Sequence, residues 1–159
     1  MSPEDFTERF AGLRVPIAKF LYRRVDANEV DDLAADVFDI AWRKGSTVNM
    51  GEELPWLYRV ATNVIANHRR KNARGQRFLS ALIAPDTSPS AESIAVADIA
   101  LADAWRQLPA TSRQILALTA LDGMSIAEVA QSLDITVNAV SVRLNRARQQ
   151  LRVALVETS

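Results

Sequence analysis

The chain has 159 residues, of which 48% are apolar and 24% are charged, which is typical of a soluble globular protein with one medium or two small domains. Its 19 basic and 19 acidic residues cancel, which excludes a uniformly basic protein that binds polyanions through its overall charge. The sequence has no cysteine and one histidine, so disulfides and thiol catalysis are excluded, no metal and no cofactor are predicted, and the redox environment stays undetermined.

The sequence shows no pattern for membrane insertion or export. No apolar run approaches the roughly 18 residues that a membrane-spanning helix needs. The first ten residues, MSPEDFTERF, lack the basic and then apolar pattern of a signal peptide. We therefore expect a cytoplasmic protein.

The first two helices are predicted from their caps and breaks. Ser2 is a residue type that caps helices, and Pro3 suits the first helical position. Pro16 is expected to break or kink this first helix, because proline lacks a backbone N–H. A second helical segment is predicted over 17–25.

The third predicted helix combines an apolar stripe with an acidic face. Six carboxylates and no basic residue lie between Asp26 and Asp39. Within this stretch, and just beyond it, apolar residues recur at helical spacing, namely Val30, Leu33, Val37 and Ile40. Gly45 suits the position after a helix end. This helix is therefore predicted to bury one face and to present carboxylates on the other.

A polar loop and a basic-ended helix follow. Pro55 is predicted to open a helix that runs from Trp56 to the arginines near position 70. Its aromatic and amide residues, which include Tyr58 and Asn63, are the types that hold unpaired bases by stacking and hydrogen bonding. The alternative is that Trp56 and Tyr58 belong to the core and that Asn63 is an ordinary surface residue.

A proline-, serine- and aspartate-rich stretch, APDTSPSAES, is predicted to separate two domains. The predicted boundaries are a first domain over 1–77, a linker over 78–97 and a second domain over 98–159. The fold class is therefore predicted as all-α, with two small helical domains joined by a flexible linker.

The second domain is predicted to contain a helix-turn-helix. Ser125 and Glu128 have the spacing of a capping box, and Thr136 can cap the last helix. One face of that helix is apolar, with Val140, Leu144, Ala147 and Leu151. The opposite face offers amide, hydroxyl and guanidinium groups, which bond base edges and phosphates. The alternative is an ordinary amphipathic hairpin with a solvated polar face.

Three motifs in this order resemble a bacterial alternative sigma factor of the extracytoplasmic-function (ECF) type, which holds regions 2 and 4 only. VDDLAADVFDIAWR is similar to the helix that grips the β′ clamp helices of RNA polymerase. LPWLYRVATNVIANHRRKNAR is similar to the helix that reads and helps melt the −10 element. LPATSRQILALTALDGMSIAEVAQSLDITVNAVSVRLNRARQQL is similar to region 4, which reads the −35 element.

The resemblance implies a protein that is not an enzyme but binds core RNA polymerase and directs it to specific promoters. The implied polymerase-binding residues are Asp31, Asp32, Ala35, Asp36 and Asp39. The implied −10 residues are Ser46, Thr47, Asn49, Trp56, Tyr58, Arg59, Asn63, Asn67, Arg69 and Arg70. The implied −35 residues are Thr136, Asn138, Ala139, Ser141, Val142, Arg143, Asn145 and Arg146. The implied partners are the β′ clamp helices and β flap of core polymerase, promoter DNA and an anti-sigma factor.

Four positions depart from the family pattern. Ala35 stands where the family often has glutamine, and Val137 and Ser141 stand where glutamate and lysine are frequent. Asp134 replaces a glycine in the turn, where aspartate is tolerated because it visits the left-handed backbone region more readily than most residues.

Two other functions are alternatives to the one that the resemblance implies. The DDLAAD motif is similar to magnesium-binding motifs of prenyl-diphosphate enzymes, since Asp32 and Asp36 are one helical turn apart, but the sequence has no second acidic metal-binding stretch. A stand-alone helix-turn-helix regulator that dimerises and binds a palindrome is the nearer alternative. No dimer seam is visible in the sequence, so an obligate homo-oligomer is not expected.

Overall fold

The computed structural model describes residues 1–72, 86–95 and 98–158, and every regular element in these ranges is helical. The chain divides into two compact units, Met1–Pro85 and Asp86–Ser159. The C-terminal unit contains the helix-turn-helix. These observations confirm the prediction of an all-α fold with two small helical domains.

The N-terminal unit contains four helices. They are α1 (Pro3–Phe10), α2 (Arg14–Tyr22), α3 (Val30–Lys44) and α4 (Glu53–Asn72), with short 3-10 turns at Ala11–Leu13, Ala27–Glu29 and Gly45–Thr47. Helix α3 packs on α2 and α4, and α2 also contacts α4. The core between them is built from large apolar side chains that are almost completely buried, among them Phe10, Ile17, Phe20, Leu21, Val37, Leu57 and Ile65. The apolar stripe predicted for α3 lies on the side of that helix that packs into this core, where Val37 is buried.

The break between the first two helices does not lie at Pro16, where the sequence predicted it. Helix α1 ends at Phe10, and Pro16 is the third residue of α2. A proline is tolerated there because the first N–H groups of a helix have no partner within the helix. Ser2 caps α1 as predicted, with its hydroxyl oxygen accepting a hydrogen bond from the Asp5 N–H.

Gly45 follows α3 as predicted, but for a different reason. Its φ angle is −65°, which any residue can adopt, so the helix end itself does not require glycine. A Cβ atom at Gly45 would lie 2.8 Å from two ring carbons of Phe10. The close approach of α1 to the end of α3 is what requires a glycine.

The C-terminal unit is organised around its last helix. It contains α5 (Ala91–Ile94), α6 (Ile99–Gln107), α7 (Ala110–Leu116), α8 (Ile126–Leu133) and α9 (Val137–Thr158), with a π-helical turn at Ala117–Leu121. Helix α9 packs on α6, α7 and α8. Trp105, Ile115, Leu144 and Ala147 are central to this core. Gly123, which lies between the π-helical turn and α8, has a φ angle of +69°, a backbone conformation that favours glycine.

Residues 86–95, which the sequence placed in the linker, pack against the C-terminal unit. Ala91 is buried in its core, and the indole N–H of Trp105 donates to the Pro89 carbonyl at 2.9 Å. Arg113 forms an ion pair with Asp86 and donates to the Ser88 hydroxyl at 3.1 Å. This packing occurs despite the proline- and serine-rich composition, because the buried indole N–H of Trp105 needs an acceptor and the Pro89 carbonyl supplies it. The rest of the predicted linker, 78–85 and 96–97, lies outside the described residues.

Candidate functional site

The carboxylates of α3 form an exposed acidic face. Asp31, Asp32, Ala35, Asp36 and Asp39 are all exposed, whereas the opposite side of the helix is buried. Asp31 and Asp32 lie in the first turn, where negative charge is stabilised by the helix dipole. Asp39 forms an exposed ion pair with Arg43 of the last turn, with 3.0 Å between the guanidinium nitrogen and the carboxylate oxygen. The structure therefore brings all five predicted polymerase-binding residues to the solvent on one helix.

No metal site accompanies this acidic face in the described ranges. No group of three or more histidine, aspartate or glutamate side chains there is arranged to hold a metal ion. Separately, none of the helices in residues 1–72, 86–95 and 98–158 is long and apolar enough to cross a membrane.

Helix α4 presents a stripe of amide and guanidinium groups, which we call the α4 stripe. Its members are Trp56, Arg59, Asn63, Asn67 and Arg70, whose spacing of three or four residues places them on one side of the helix. All are exposed except Trp56, which is half-buried. The Arg70 guanidinium donates to the Asn67 side-chain oxygen at 3.1 Å. The stripe therefore runs from an aromatic ring to a cationic end.

Two of the predicted −10 residues on α4 are turned away from this stripe. Tyr58 is buried, with its ring centroid 5.1 Å from that of Phe20, so the alternative that Tyr58 belongs to the core applies. The Arg69 guanidinium donates to the Arg24 carbonyl at 2.8 Å, which joins the inner side of α4 to the segment that follows α2. Next to it, the His68 ring contacts the Glu29 carboxylate.

The loop between α3 and α4 carries the other three predicted −10 residues. Ser46, Thr47 and Asn49 are exposed. The Thr47 hydroxyl donates to the Lys44 carbonyl at 2.8 Å, which shapes the 3-10 turn. The Asn49 amide donates to the Glu52 carboxylate at 3.4 Å. The loop thus precedes the α4 stripe with its polar side chains facing solvent.

Arg9 anchors this loop, and sequence reasoning did not identify it. Its guanidinium donates to the Gly45 carbonyl at 3.3 Å, to the Val48 carbonyl at 2.6 Å and to Glu53 Oε1 at 3.0 Å. The same Glu53 oxygen accepts a hydrogen bond from the Gly51 N–H at 3.2 Å. Because Arg9 lies 44 positions before Glu53, the periodicity of α1 alone gave no signal of this contact.

The helix-turn-helix forms as its caps predicted. Ser125 and Glu128 make both hydrogen bonds of a capping box, and the Ala139 N–H donates to the Thr136 hydroxyl at 3.0 Å. Asp134 occupies the left-handed region with a φ angle of +56°, as expected for an aspartate at this turn. The turn therefore has the predicted geometry without a glycine.

The exposed face of α9 contains the predicted −35 residues. Thr136, Asn138, Val142, Arg143, Asn145 and Arg146 are exposed, and Ala139 and Ser141 are half-buried. On the opposite side, Val140, Leu144 and Ala147 are buried as predicted. The N-terminal half of α9 therefore offers polar side chains along one accessible face, as a recognition helix does.

Comparisons with known proteins follow the same division of the chain. The family profile described as Sigma-70 region 2 matches residues 9–75, and the profile described as Sigma-70, region 4 matches residues 98–151. RNA polymerase sigma factor NccH of Alcaligenes xylosoxydans xylosoxydans is 30% identical over 147 residues, which cover 85% of this chain and 77% of that protein. ECF RNA polymerase sigma factor SigW of Bacillus subtilis (strain 168) is 27% identical over 157 residues, which cover 87% of this chain and 82% of that protein.

Two solved structures are similar to the chain. CnrH in complex with the cytosolic domain of CnrY has a TM-score of 0.61 at 25% identity and covers 99% of this chain and 92% of that chain; CnrH is a sigma factor of Cupriavidus metallidurans. The sigma factor RpoE of Bartonella quintana, in complex with the anti-sigma factor NepR, has a TM-score of 0.58 at 21% identity, which shows the fold alone. It covers 96% of this chain and 94% of that chain. With both sigma regions matched in order, this chain belongs to the ECF family of RNA polymerase sigma factors.

Proposed function

We propose that this sigma factor binds core RNA polymerase through the acidic face of α3 and reads promoters through α4 and α9. The observation that carries the proposal is that one region 2 unit exposes a carboxylate face on α3 and the α4 stripe on the next helix. The carboxylates of α3 suit a basic protein surface, and the amide and guanidinium groups of α4 suit a nucleic acid. Sigma factors are transcription initiation factors, so no catalytic residue is required.

The acidic face suits the β′ clamp helices of the polymerase. Asp31, Asp32, Asp36 and Asp39 can accept charge-assisted hydrogen bonds from lysine or arginine side chains. Such complementarity guides docking and fixes register as much as it strengthens binding. Ala35 lies among these carboxylates and has no polar group, so it can contribute only van der Waals contact.

The α4 stripe and the preceding loop suit the −10 element. Asn63 and Asn67 offer side-chain donors and acceptors for the edges of unpaired bases, and Arg59 and Arg70 offer charge for the backbone. The half-buried ring of Trp56 lies at the loop end of the stripe, where a base can stack on it. The loop residues Ser46, Thr47 and Asn49 would then hold a base that has left the stack.

Helix α9 suits the −35 element. Asn138, Asn145 and Arg146 carry the group types that form hydrogen bonds with base edges or phosphates in the major groove, while Val142 offers an apolar contact such as a thymine methyl accepts. The first helix of the motif, α8, would cross the DNA backbone. Region 4 is also the unit that we expect to bind the β flap.

The two proposed DNA surfaces are expected to bind promoter DNA tightly only when polymerase binds both domains and fixes their spacing. The net charge of zero gives little general attraction to DNA, and each surface alone is small. Joining two binding events raises the effective concentration of the second one, provided that the spacing is right. Promoter binding is therefore expected of the polymerase complex rather than of the free protein.

An anti-sigma factor is the proposed regulatory partner. Its support is that both similar structures hold a sigma factor with a bound protein, the cytosolic domain of CnrY in one and the anti-sigma factor NepR in the other. Such a partner would compete with polymerase for the exposed surfaces described above.

The first test is binding of the labelled full chain to core RNA polymerase without DNA. We expect one-to-one binding by the wild type and a loss of at least about tenfold in affinity for the Asp32→Lys/Asp36→Lys variant, because reversed charges are repelled at a complementary interface. The matched control is Glu4→Lys/Glu8→Lys, which reverses two exposed carboxylates one turn apart on α1 and should bind as the wild type does.

Two results would contradict the proposal in different ways. Wild-type affinity in the Asp32→Lys/Asp36→Lys variant would mean that the acidic face is merely solvated. No polymerase binding, together with tight binding of the free protein to duplex DNA, would instead support a self-sufficient regulator. Circular dichroism of each variant checks that the helix content of the wild type is retained.

A further inference from the structure

The contacts of Arg9 bracket the part of the loop that carries Ser46 and Thr47. Its guanidinium donates to the carbonyl before this pair, at Gly45, and to the carbonyl after it, at Val48. A guanidinium is planar and has five donors in fixed directions. The two carbonyls therefore hold a fixed separation and orientation for as long as Arg9 lies between them.

The end of the loop is held through the same side chain. Glu53 Oε1 accepts from both Arg9 and the Gly51 N–H, so one carboxylate oxygen links α1, the loop and the first residue of α4. The side chains of Arg9 and Glu53 are 12% and 11% exposed. At this burial the pair is shielded from water and holds a single geometry better than a surface ion pair does.

We infer that Arg9 is a positioning residue that sets the conformation in which loop 45–52 meets the −10 element. In this role Arg9 determines discrimination between −10 bases and leaves the affinity for core polymerase unchanged. The inference rests on the proposed reading of a −10 base by this loop. Arg9 itself is not required to touch DNA, since its donors are directed at the loop carbonyls and Glu53.

The physical reason is preorganisation. A loop that already has its bound shape loses little conformational entropy when a base enters, so a correct base is favoured over a wrong one by the full difference in hydrogen bonding. A loop that samples many shapes can adapt to a wrong base. Loss of Arg9 should therefore lower the selectivity of the loop more than it lowers the overall rate of initiation.

The first measurement is amide hydrogen exchange of the free full-length protein, which needs no promoter. In the Arg9→Ala variant we expect the N–H groups of Val48 and Gly51 to exchange about tenfold faster. Their acceptors, the Gly45 carbonyl and Glu53 Oε1, both accept hydrogen bonds from Arg9 and would lose this support. The matched control is Glu8→Ala, a neighbouring exposed residue of α1, which should leave both rates unchanged. Wild-type exchange rates in Arg9→Ala would overturn the inference.

The second measurement is initiation by the polymerase complex on promoters that differ at single −10 bases. We expect the ratio between the preferred and the substituted base to fall about tenfold in Arg9→Ala at the position that Asn49→Ala also affects. Arg9→Lys should give an intermediate ratio, because an ammonium cannot span all three acceptors. Val37→Ala, a core truncation in α3, controls for lost stability and should keep the wild-type ratio.

The outcomes separate the inference from the proposed function. If Asn49→Ala changes the base ratio and Arg9→Ala does not, the inference is wrong and the function of the loop stands. If Val37→Ala lowers the ratio as much as Arg9→Ala, the effect is one of general stability and the inference is also wrong. If neither Asn49→Ala nor Arg9→Ala changes it, the loop does not read a base and the proposed function fails at this element.

Discussion

At the scale of single residues, two backbone positions are constrained in different ways. Asp134 is held at a positive φ angle, a conformation that the local turn imposes and that the sequence revealed. Gly45 has an ordinary φ angle, and its constraint comes from the Phe10 ring of a helix that lies far away in sequence. The first kind of constraint is visible in a short motif, whereas the second needs the fold.

This difference predicts the result of adding one methyl group. Gly45→Ala should lower the free energy of unfolding by about 1–3 kcal/mol, because the new Cβ atom overlaps the Phe10 ring and a packed core resists the shift. Gly12→Ala is the matched control, since a Cβ there meets nothing within 4 Å. Urea unfolding of both variants checks the prediction, and equal stabilities would show that Phe10 moves aside without cost.

At the scale of elements, features formed by residues close in sequence were predicted, whereas features formed by contacts distant in sequence were not. The capping box of α8, the Thr136 cap and the buried face of α9 were predicted because all of their partners lie within a few residues of each other. The anchoring of the loop by Arg9 and the packing of residues 86–95 were not predicted, and the sequence left open whether Tyr58 belongs to the core. These features depend on which distant side chain supplies the partner, and a composition that is typical of linkers carries no such information.

The packing of residues 86–95 has a dependence on pH that can be measured. Burial raises the pKa of Asp86, but hydrogen bonds from Ser88 and the ion pair with Arg113 outweigh it and hold the pKa below its ordinary value of 3.8. The charged form is therefore favoured by folding. Its contribution to stability is present above the unfolded-state pKa and is lost as the pH falls through the lower folded-state pKa.

We expect Asp86→Asn to reduce stability at pH 7 and to have progressively less effect as the pH falls below that ordinary pKa. The loss should be below about 1 kcal/mol, because the Asp86 side chain is 40% exposed and solvent screens the pair. Urea unfolding of the wild type and the variant across a pH series checks this. A difference between them that does not vary with pH would show that the carboxylate charge has no role in the packing.

At the scale of the whole molecule, acidic and basic residues are concentrated on different helices. Carboxylates dominate α3, basic residues accumulate at the end of α4 and along α9, and the total is zero. A single chain can thereby have one surface for a basic protein and two for DNA without general affinity for either. Because the proposed function uses both sigma regions, damage to either proposed DNA surface should affect the same reaction.

We therefore expect Asn63→Ala and Arg146→Ala each to weaken promoter-specific initiation by about 1–3 kcal/mol in apparent binding free energy, as loss of one base contact does. Both variants should bind core polymerase as the wild type does. Asn28→Ala and Arg148→Ala remove the same groups from exposed positions outside the proposed surfaces and serve as controls in run-off transcription. Loss of polymerase binding in either test variant would contradict the assignment.

The hydrogen bond from Trp105 to Pro89 also gives the protein an optical reporter. The chain has three tryptophans, and Trp42 and Trp56 both belong to the N-terminal unit. With these two replaced by phenylalanine, the fluorescence would come from an indole that is 4% exposed and has its N–H bonded to residue 89. Its emission would shift to longer wavelength if residues 86–95 left the C-terminal unit, so one spectrum of the free protein would follow the attachment of this segment.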